Sequence, residues 1–234
     1  MFSSYPTYSH VDAKRVPLDH KLLTLFTQLG LDPRGYKGVY IEAGANNGLM
    51  QSNTALLEKS FGWTGVLVEP SPKGIEECRR NRATSNVFVH SALISFDTAA
   101  QHVTSIEGDF ASGDCMSSIG GRRTRNPHLI TVPARTLQSI LDEHDIASVD
   151  LLSLDTEGYE MDVLKGIDFE VSSAPKVCLI ELYTKDVDAV CAMLSEWYDC
   201  RGNFSNYNHL DNPGWDGTHN DYLFVHRSLT TGKK

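Results

Sequence analysis

Residues 39–48 read VYIEAGANNG, an apolar run that ends in a carboxylate and opens into a glycine loop. Val39, Tyr40 and Ile41 form the run, Glu42 closes it, and Gly44 and Gly48 frame the loop. Such a pattern predicts a buried parallel strand turning into a helix, with backbone N–H groups at the turn available to a ligand. The dinucleotide fingerprint needs a further glycine where this chain has Asn46, and Glu42 brings negative charge to the place of a diphosphate. A cationic ligand fits the loop better than NAD.

Outward from that loop the pattern repeats. GVLVEP at 65–70 ends in Glu69, about twenty residues after Gly48, the spacing at which a strand-end carboxylate accepts hydrogen bonds from ribose hydroxyls. VDLLSLD at 149–155 ends in Asp155, and KVCLIE at 176–181 ends in Glu181. Parallel strands with acids at one edge predict an acidic crevice where open α/β sheets bind ligands. An adenosine that carries positive charge, S-adenosylmethionine, meets these requirements. Glu42 is expected to meet its ammonium, and the amides of Gly44, Ala45, Asn46, Asn47 and Gly48 its carboxylate. Ser52 is placed beside them, Glu69 and Pro70 at the ribose, Ser91 and Ala92 at the adenine, and Asp155 near the methyl group.

The segments YIEAGANNG, SNTALLE, GWTGVLVEPSP, NR, SLDTEGYEMDVLKG and VCLIELY occur in this order. Together they resemble the FkbM family of S-adenosylmethionine-dependent methyltransferases, closely over residues 38–183 and loosely beyond. The resemblance implies a class I methyltransferase (Rossmann-like) α/β fold: a central, mostly parallel seven-stranded sheet with an antiparallel last strand and helices on both faces. It also implies O-methylation of a hydroxyl on a sugar, glycan or glycosylated natural product.

The 234 residues suffice for one α/β domain over residues 18–234, preceded by an arm at 1–17 and interrupted by a lid or hairpin insertion about 95–131. No apolar run reaches membrane-spanning length and the first residues lack the features of a secretion signal, so a cytoplasmic protein is expected, a monomer or homodimer. The net charge of -9 argues against a nucleic-acid partner. Arg122, Arg123 and Arg125 form a basic run that could hold an acidic part of a small-molecule acceptor. Five cysteines without C-x-x-C spacing read as packed, reduced thiols rather than a zinc site.

Helices are expected over 19–29, 52–59, 72–82, 136–144, 159–165 and 186–197, and terminal strands near 198–206 and 221–226. For chemistry, Asp155 and Glu157 are the candidate bases for an acceptor hydroxyl, with His209 from the loop 207–216 as a further one. Asp155 and Glu181 also match the carboxylate positions of metal-dependent O-methyltransferases, where Mg²⁺ or Mn²⁺ would lower the acceptor's pKa. Two other classes compete: an NAD(P)-dependent Rossmann oxidoreductase, which Glu42 and the lack of a Tyr-x-x-x-Lys constellation oppose, and an inactive ligand-binding relative, which the retained carboxylates oppose.

Overall fold

In a computed structural model, which describes residues 2–111, 118–119 and 128–230, the opening apolar run is strand β1 (Val39–Ala43) in the middle of a seven-stranded sheet. Helix α1 (Leu18–Leu29) precedes it, and α2 (Ala55–Phe61), β2 (Thr64–Glu69), α3 (Pro72–Asn81) and β3 (Val87–His90) follow. Next come β4 (Ala92–Leu93), α4 (Phe96–Ala100), β5 (Ser105–Gly108), β6 (Ile130–Arg135) and α5 (Leu137–Glu143). The chain continues through β7 (Leu151–Leu154), α6 (Glu160–Leu164), β8 (Val177–Tyr183), α7 (Val187–Leu194), β9 (Tyr198–Asn203) and β10 (His219–His226).

The large sheet has the order β3-β2-β1-β7-β8-β10-β9. Strands β3, β2, β1, β7 and β8 are parallel, and β10 runs antiparallel to both β8 and β9. Alternation along each strand divides the core between the two faces. Ile41, Val66, Leu152 and Ile180 point to the face covered by α5, α6 and α7, where Leu137, Ile140, Leu164, Val190 and Leu194 are buried. Tyr40, Leu67, Leu151 and Leu179 point to the other, covered by Leu22, Leu23 and Phe26 of α1 and Leu56, Leu57 and Phe61 of α2. A stripe of apolar residues at helical spacing is what lets α1 cover its share, and Gly30, at φ 84, ends it.

The register fixes the site. Glu42 lies beside Leu67 of β2 on one flank and Ser153 of β7 on the other. The carboxyl ends of β1, β2 and β7 therefore open side by side, with β8 next to β7. Around the stretch 95–131, β4, β6 and β5 make a small three-stranded sheet, with β4 ahead of it and β6 running past its end, parallel between β4 and β6 and antiparallel between β5 and β6. Arg122, Arg123, Arg125 and Cys115 lie outside the described residues. Residues 2–17 pack on the α1 side: Phe2 is buried against Phe61, and Asp19 accepts hydrogen bonds from the Thr7 hydroxyl and the Tyr8 amide. None of the described helices is long and apolar enough to cross a membrane.

Candidate active site

A crevice opens over the carboxyl ends of β1, β2 and β7, with walls from Glu42, Asn46, Asn53, Glu69, Asp155 and Tyr159 and an apolar side of Ala92, Leu93, Phe110 and Ile119. Ala45, Gly44, Ser52, Pro70, Ser91 and Glu157 line it too. Asn47, Gly48, Glu181 and His209 are not on its wall.

The loop after β1 is built differently from the helix start expected of it. Helix α2 begins only at Ala55, because Ser52 and Thr54 turn their hydroxyls onto Glu42. The loop amides are already engaged: Gly44 and Ala45 donate to Val68 O, Asn46 to Glu69 Oε2, and Gly48 to Ala45 O. Asn47 accepts through its side-chain oxygen from the Leu49 and Met50 amides. The expected carboxylate grip by these amides is therefore corrected, since a donor already spent on protein gives nothing to a ligand. Gly44 serves a close approach instead: a Cβ there would fall 1.8 Å from Asp155 O, so only glycine lets the loop lie against the end of β7.

Glu42 is also corrected. Its Oε2 accepts from Ser52 Oγ at 2.9 Å, Thr54 Oγ1 at 2.8 Å and Arg82 Nη1 at 3.0 Å, and its Oε1 from Asn53 N at 3.0 Å. A carboxylate offers about four acceptor positions, so little is left for an ammonium, and the single charge of Arg82 is shared between Glu42 and Glu58. Arg82 is buried; its Nε also donates to Glu58 at 2.7 Å, its Nη1 to Gly48 O, and its Nη2 to Tyr40 and Thr54. Burial works against the Glu58 charge, but Arg82 and the Tyr40 hydroxyl outweigh it and hold Glu58 below its ordinary range. In the sequence Arg82 stands out only as part of the NR segment, with no role attached to it.

Among the described residues, three buried polar atoms on the crevice wall have no hydrogen-bond partner: Asn53 Oδ1, Ser118 Oγ and Asp155 Oδ1. Asn53 is oriented by its own Nδ2, which donates to Ser153 Oγ at 3.1 Å. Across the crevice, Glu69 accepts from Asn46 N and Ser71 N, each at 2.8 Å. Burial exceeds the help of those two donors and pushes its pKa up to about 7. Ser91 spends its hydroxyl on Ala92 O at 2.8 Å, and so borders the crevice without offering that donor.

The other half of the site lies over β7, β8 and β10. Asp155 hydrogen-bonds Glu181, and one oxygen from each of Asp155, Glu157 and Glu181 falls within 4.8 Å of the others. Burial first, then the neighbouring carboxylates Glu157, Glu160 and Asp221, raise Asp155 well above its ordinary pKa. Glu181 is raised in the same way by burial and by Asp155. Sharing one site, the two carboxyl groups resist being charged together. Asp221 stands opposite Glu181 in the β8–β10 ladder and hydrogen-bonds the Tyr207 hydroxyl. His219 Nε2 lies 3.5 Å from Glu181 Oε1, and His10, from the segment before α1, hydrogen-bonds Gln51 on the crevice wall.

The turn carrying Asp155 is held by Glu160, whose Oε1 accepts from Thr156 N, Thr156 Oγ1 and Gly158 N. Glu157 between them adopts φ 56. Glu160 was legible in sequence only as an acid in the first turn of a helix. His209 is exposed, with its ring 5.1 Å from that of Trp215 and off the crevice wall.

This geometry can now be set against known proteins. The Methyltransferase FkbM domain family matches residues 42–204, well over half of the sequence. The chain belongs to the FkbM methyltransferase family. Among solved structures it is similar to methyltransferase FkbM from Methylobacillus flagellatus KT, with 15% identity and a TM-score of 0.48 over 81% of this chain and 44% of that one. It thus spans less than half the length of that relative. The METTL16 MTase domain is similar with 10% identity and a TM-score of 0.51, over 96% of this chain and 75% of that one, a likeness of fold. No curated protein matches. The fold of this FkbM family member is that of class I methyltransferases.

Proposed function

We propose that this FkbM family member uses S-adenosylmethionine to methylate a hydroxyl group, on a sugar, glycan or glycosylated natural product. The observation that carries the reading is the pair of orphaned buried acceptors, Asn53 Oδ1 and Asp155 Oδ1, facing Glu69 across one crevice. An unpartnered buried acceptor is costly, and an ammonium donor is what both would accept. Glu69 suits ribose hydroxyls, and Ala92, Leu93, Phe110 and Ile119 suit the faces of an adenine.

Bound S-adenosylmethionine would supply an already activated methyl group, so the chain's own tasks are alignment and proton removal. The Asp155–Glu181 pair is the base: burial and mutual repulsion raise both carboxyls above their ordinary range, which suits them to accept the acceptor's proton. Tyr207 and Tyr183 bound the same end and suit the apolar face of a sugar ring. A second reading has a divalent cation, Mg²⁺ or Mn²⁺, held by Asp155, Glu157 and Glu181, whose hard oxygen donors match such an ion.

Calorimetry with S-adenosylmethionine and S-adenosylhomocysteine tests the cofactor. Glu69→Ala should weaken both at least about tenfold, because the ribose hydroxyls are common to them; unchanged affinity for both would remove the assignment. Transfer of labelled methyl to a panel of glycosides tests the acceptor class. Loss of transfer in EDTA, restored by Mg²⁺, would select the metal reading over the bare pair.

A further inference from the structure

Away from the crevice, on the flank where α7 packs beside the outer strands, two thiols face each other. Cys191 of α7 places its Sγ 3.2 Å from Sγ of Cys200 on β9, in a thiol–thiol hydrogen bond. Cys191 is half-buried and Cys200 exposed, whereas Cys78 and Cys178 are sealed in the core. Strand β9 is the outermost of the large sheet, and beside Cys200 its pairing with β10 slips: Leu223 faces Gly202 but Phe224 faces Cys200, leaving Arg201 as an extra residue. A bulge interrupts the ladder and gives an edge strand local freedom to shift. Closing the sulfurs to bonding distance, about 2.05 Å, needs a movement of only about 1 Å.

We propose that Cys191 and Cys200 form a redox modification site that takes a low-molecular-weight disulfide, such as glutathione disulfide, and closes into an intramolecular cystine. The inference holds whatever the methyl acceptor is. Exposed Cys200 reacts first: its thiolate attacks one sulfur of glutathione disulfide, forming the mixed disulfide and expelling a glutathione thiolate. Cys191 then attacks Sγ of Cys200 and expels the second glutathione. The two cysteine thiols lose two electrons and two protons, and the disulfide leaves as two molecules of glutathione. Burial, the hydrogen bond to Cys200 and nearby Asp188 push the Cys191 thiol up to about 12, which makes it the resolving thiol rather than the first target. The product ties the edge strand to α7, just ahead of the segment 204–218 that brings Tyr207 to Asp221.

The test is incubation of the reduced full-length protein with glutathione disulfide, followed by intact mass and peptide mapping. Wild type should lose two hydrogens and yield one cross-linked peptide pair containing Cys191 and Cys200. Cys191→Ser should stop at a stable glutathione adduct on Cys200, and Cys200→Ser should give neither adduct nor cross-link at this place. Closure should raise the Tm by about 5 °C, reversed by reductant, since the bond constrains the unfolded chain. A wild type that keeps glutathione on Cys200, links Cys200 between two chains, or leaves both thiols untouched would overturn the proposal. So would a lower Tm after closure, which would show that the native geometry resists the bond.

Discussion

The two halves of the crevice use the same side chains to opposite ends. Under the loop after β1, Glu42 and Glu58 are buried but saturated, with Arg82 between them and hydroxyls on their remaining oxygens. At the ends of β7, β8 and β10, Asp155, Glu181 and Asp221 are buried among one another and all are raised in pKa, by burial first. Carboxylates in the first half hold the loop in shape. Those in the second store electrostatic stress that a cation or an incoming hydroxyl relieves, which is how sites for proton transfer are built.

The comparison breaks first at Arg82. Arg82→Met should cost about 3–5 kcal/mol in chemical denaturation, because it leaves Glu42 and Glu58 buried without a counter-charge. A loss below about 1 kcal/mol would show that the first half is not held by that pairing. In the second half, Asp155→Asn should keep affinity for S-adenosylhomocysteine, since an acceptor oxygen remains, while turnover on a working acceptor falls about a hundredfold or more. Full turnover would make Asp155 structural.

A matched pair of neutralisations sharpens the contrast. Glu58→Gln should destabilise the protein by about 2 kcal/mol at pH 7, as a charged hydrogen-bond acceptor is lost. Glu181→Gln should stabilise it by about 1 kcal/mol in chelator-containing buffer, as a like-charge neighbour disappears. The pH dependences must oppose each other. Glu58 has a folded pKa below its ordinary 4.5, so its stabilisation is present above 4.5 and is lost as pH falls through the folded value. Glu181 has a folded pKa above 4.5, so the native state keeps a proton that the unfolded state releases, and stability declines as pH rises from 4.5 towards the folded value. Equal signs in the two variants would collapse the distinction.

A further contrast concerns Glu69. With its pKa near 7, it is protonated in the free protein below that pH, and ribose hydroxyls favour its charged form. Affinity for S-adenosylhomocysteine should therefore drop up to about tenfold per pH unit below 7 and level off above it, and Glu69→Gln should abolish the slope. A wild type with flat affinity between pH 5.5 and 8 would show that Glu69 does not titrate in the crevice.

The places of Glu69 and Asp155 at strand ends were legible because they rest on local signals, apolar runs with terminal acids beside a glycine turn, while the seven-stranded architecture came through the family resemblance. The role of Glu42 was not, because its partner Arg82 lies on another element and nothing in the spacing says that the two meet. Helix α2 was placed three residues early: Ser52, whose hydroxyl is held on Glu42, accepts through the same oxygen from the Ala55 amide where the helix begins. Asn53 escaped notice because an orphaned acceptor exists only after folding has removed every partner. In the loop 207–216, Tyr207 is directed inward to Asp221, whereas His209 is exposed with its ring tilted against Trp215.

The backbone at Glu157 bears on how this protein would respond to selection in the laboratory. With φ at 56, a residue with a Cβ sits in a conformation that costs about 1–2 kcal/mol relative to glycine. A library screened for heat tolerance alone would drift there towards glycine or asparagine. One screened for methyl transfer would keep the carboxylate that faces Asp155 and Glu181. Position 157 is thus where the two screens should part first, and sequencing their survivors would reveal how much thermal robustness this enzyme's site gives up to keep its third acid.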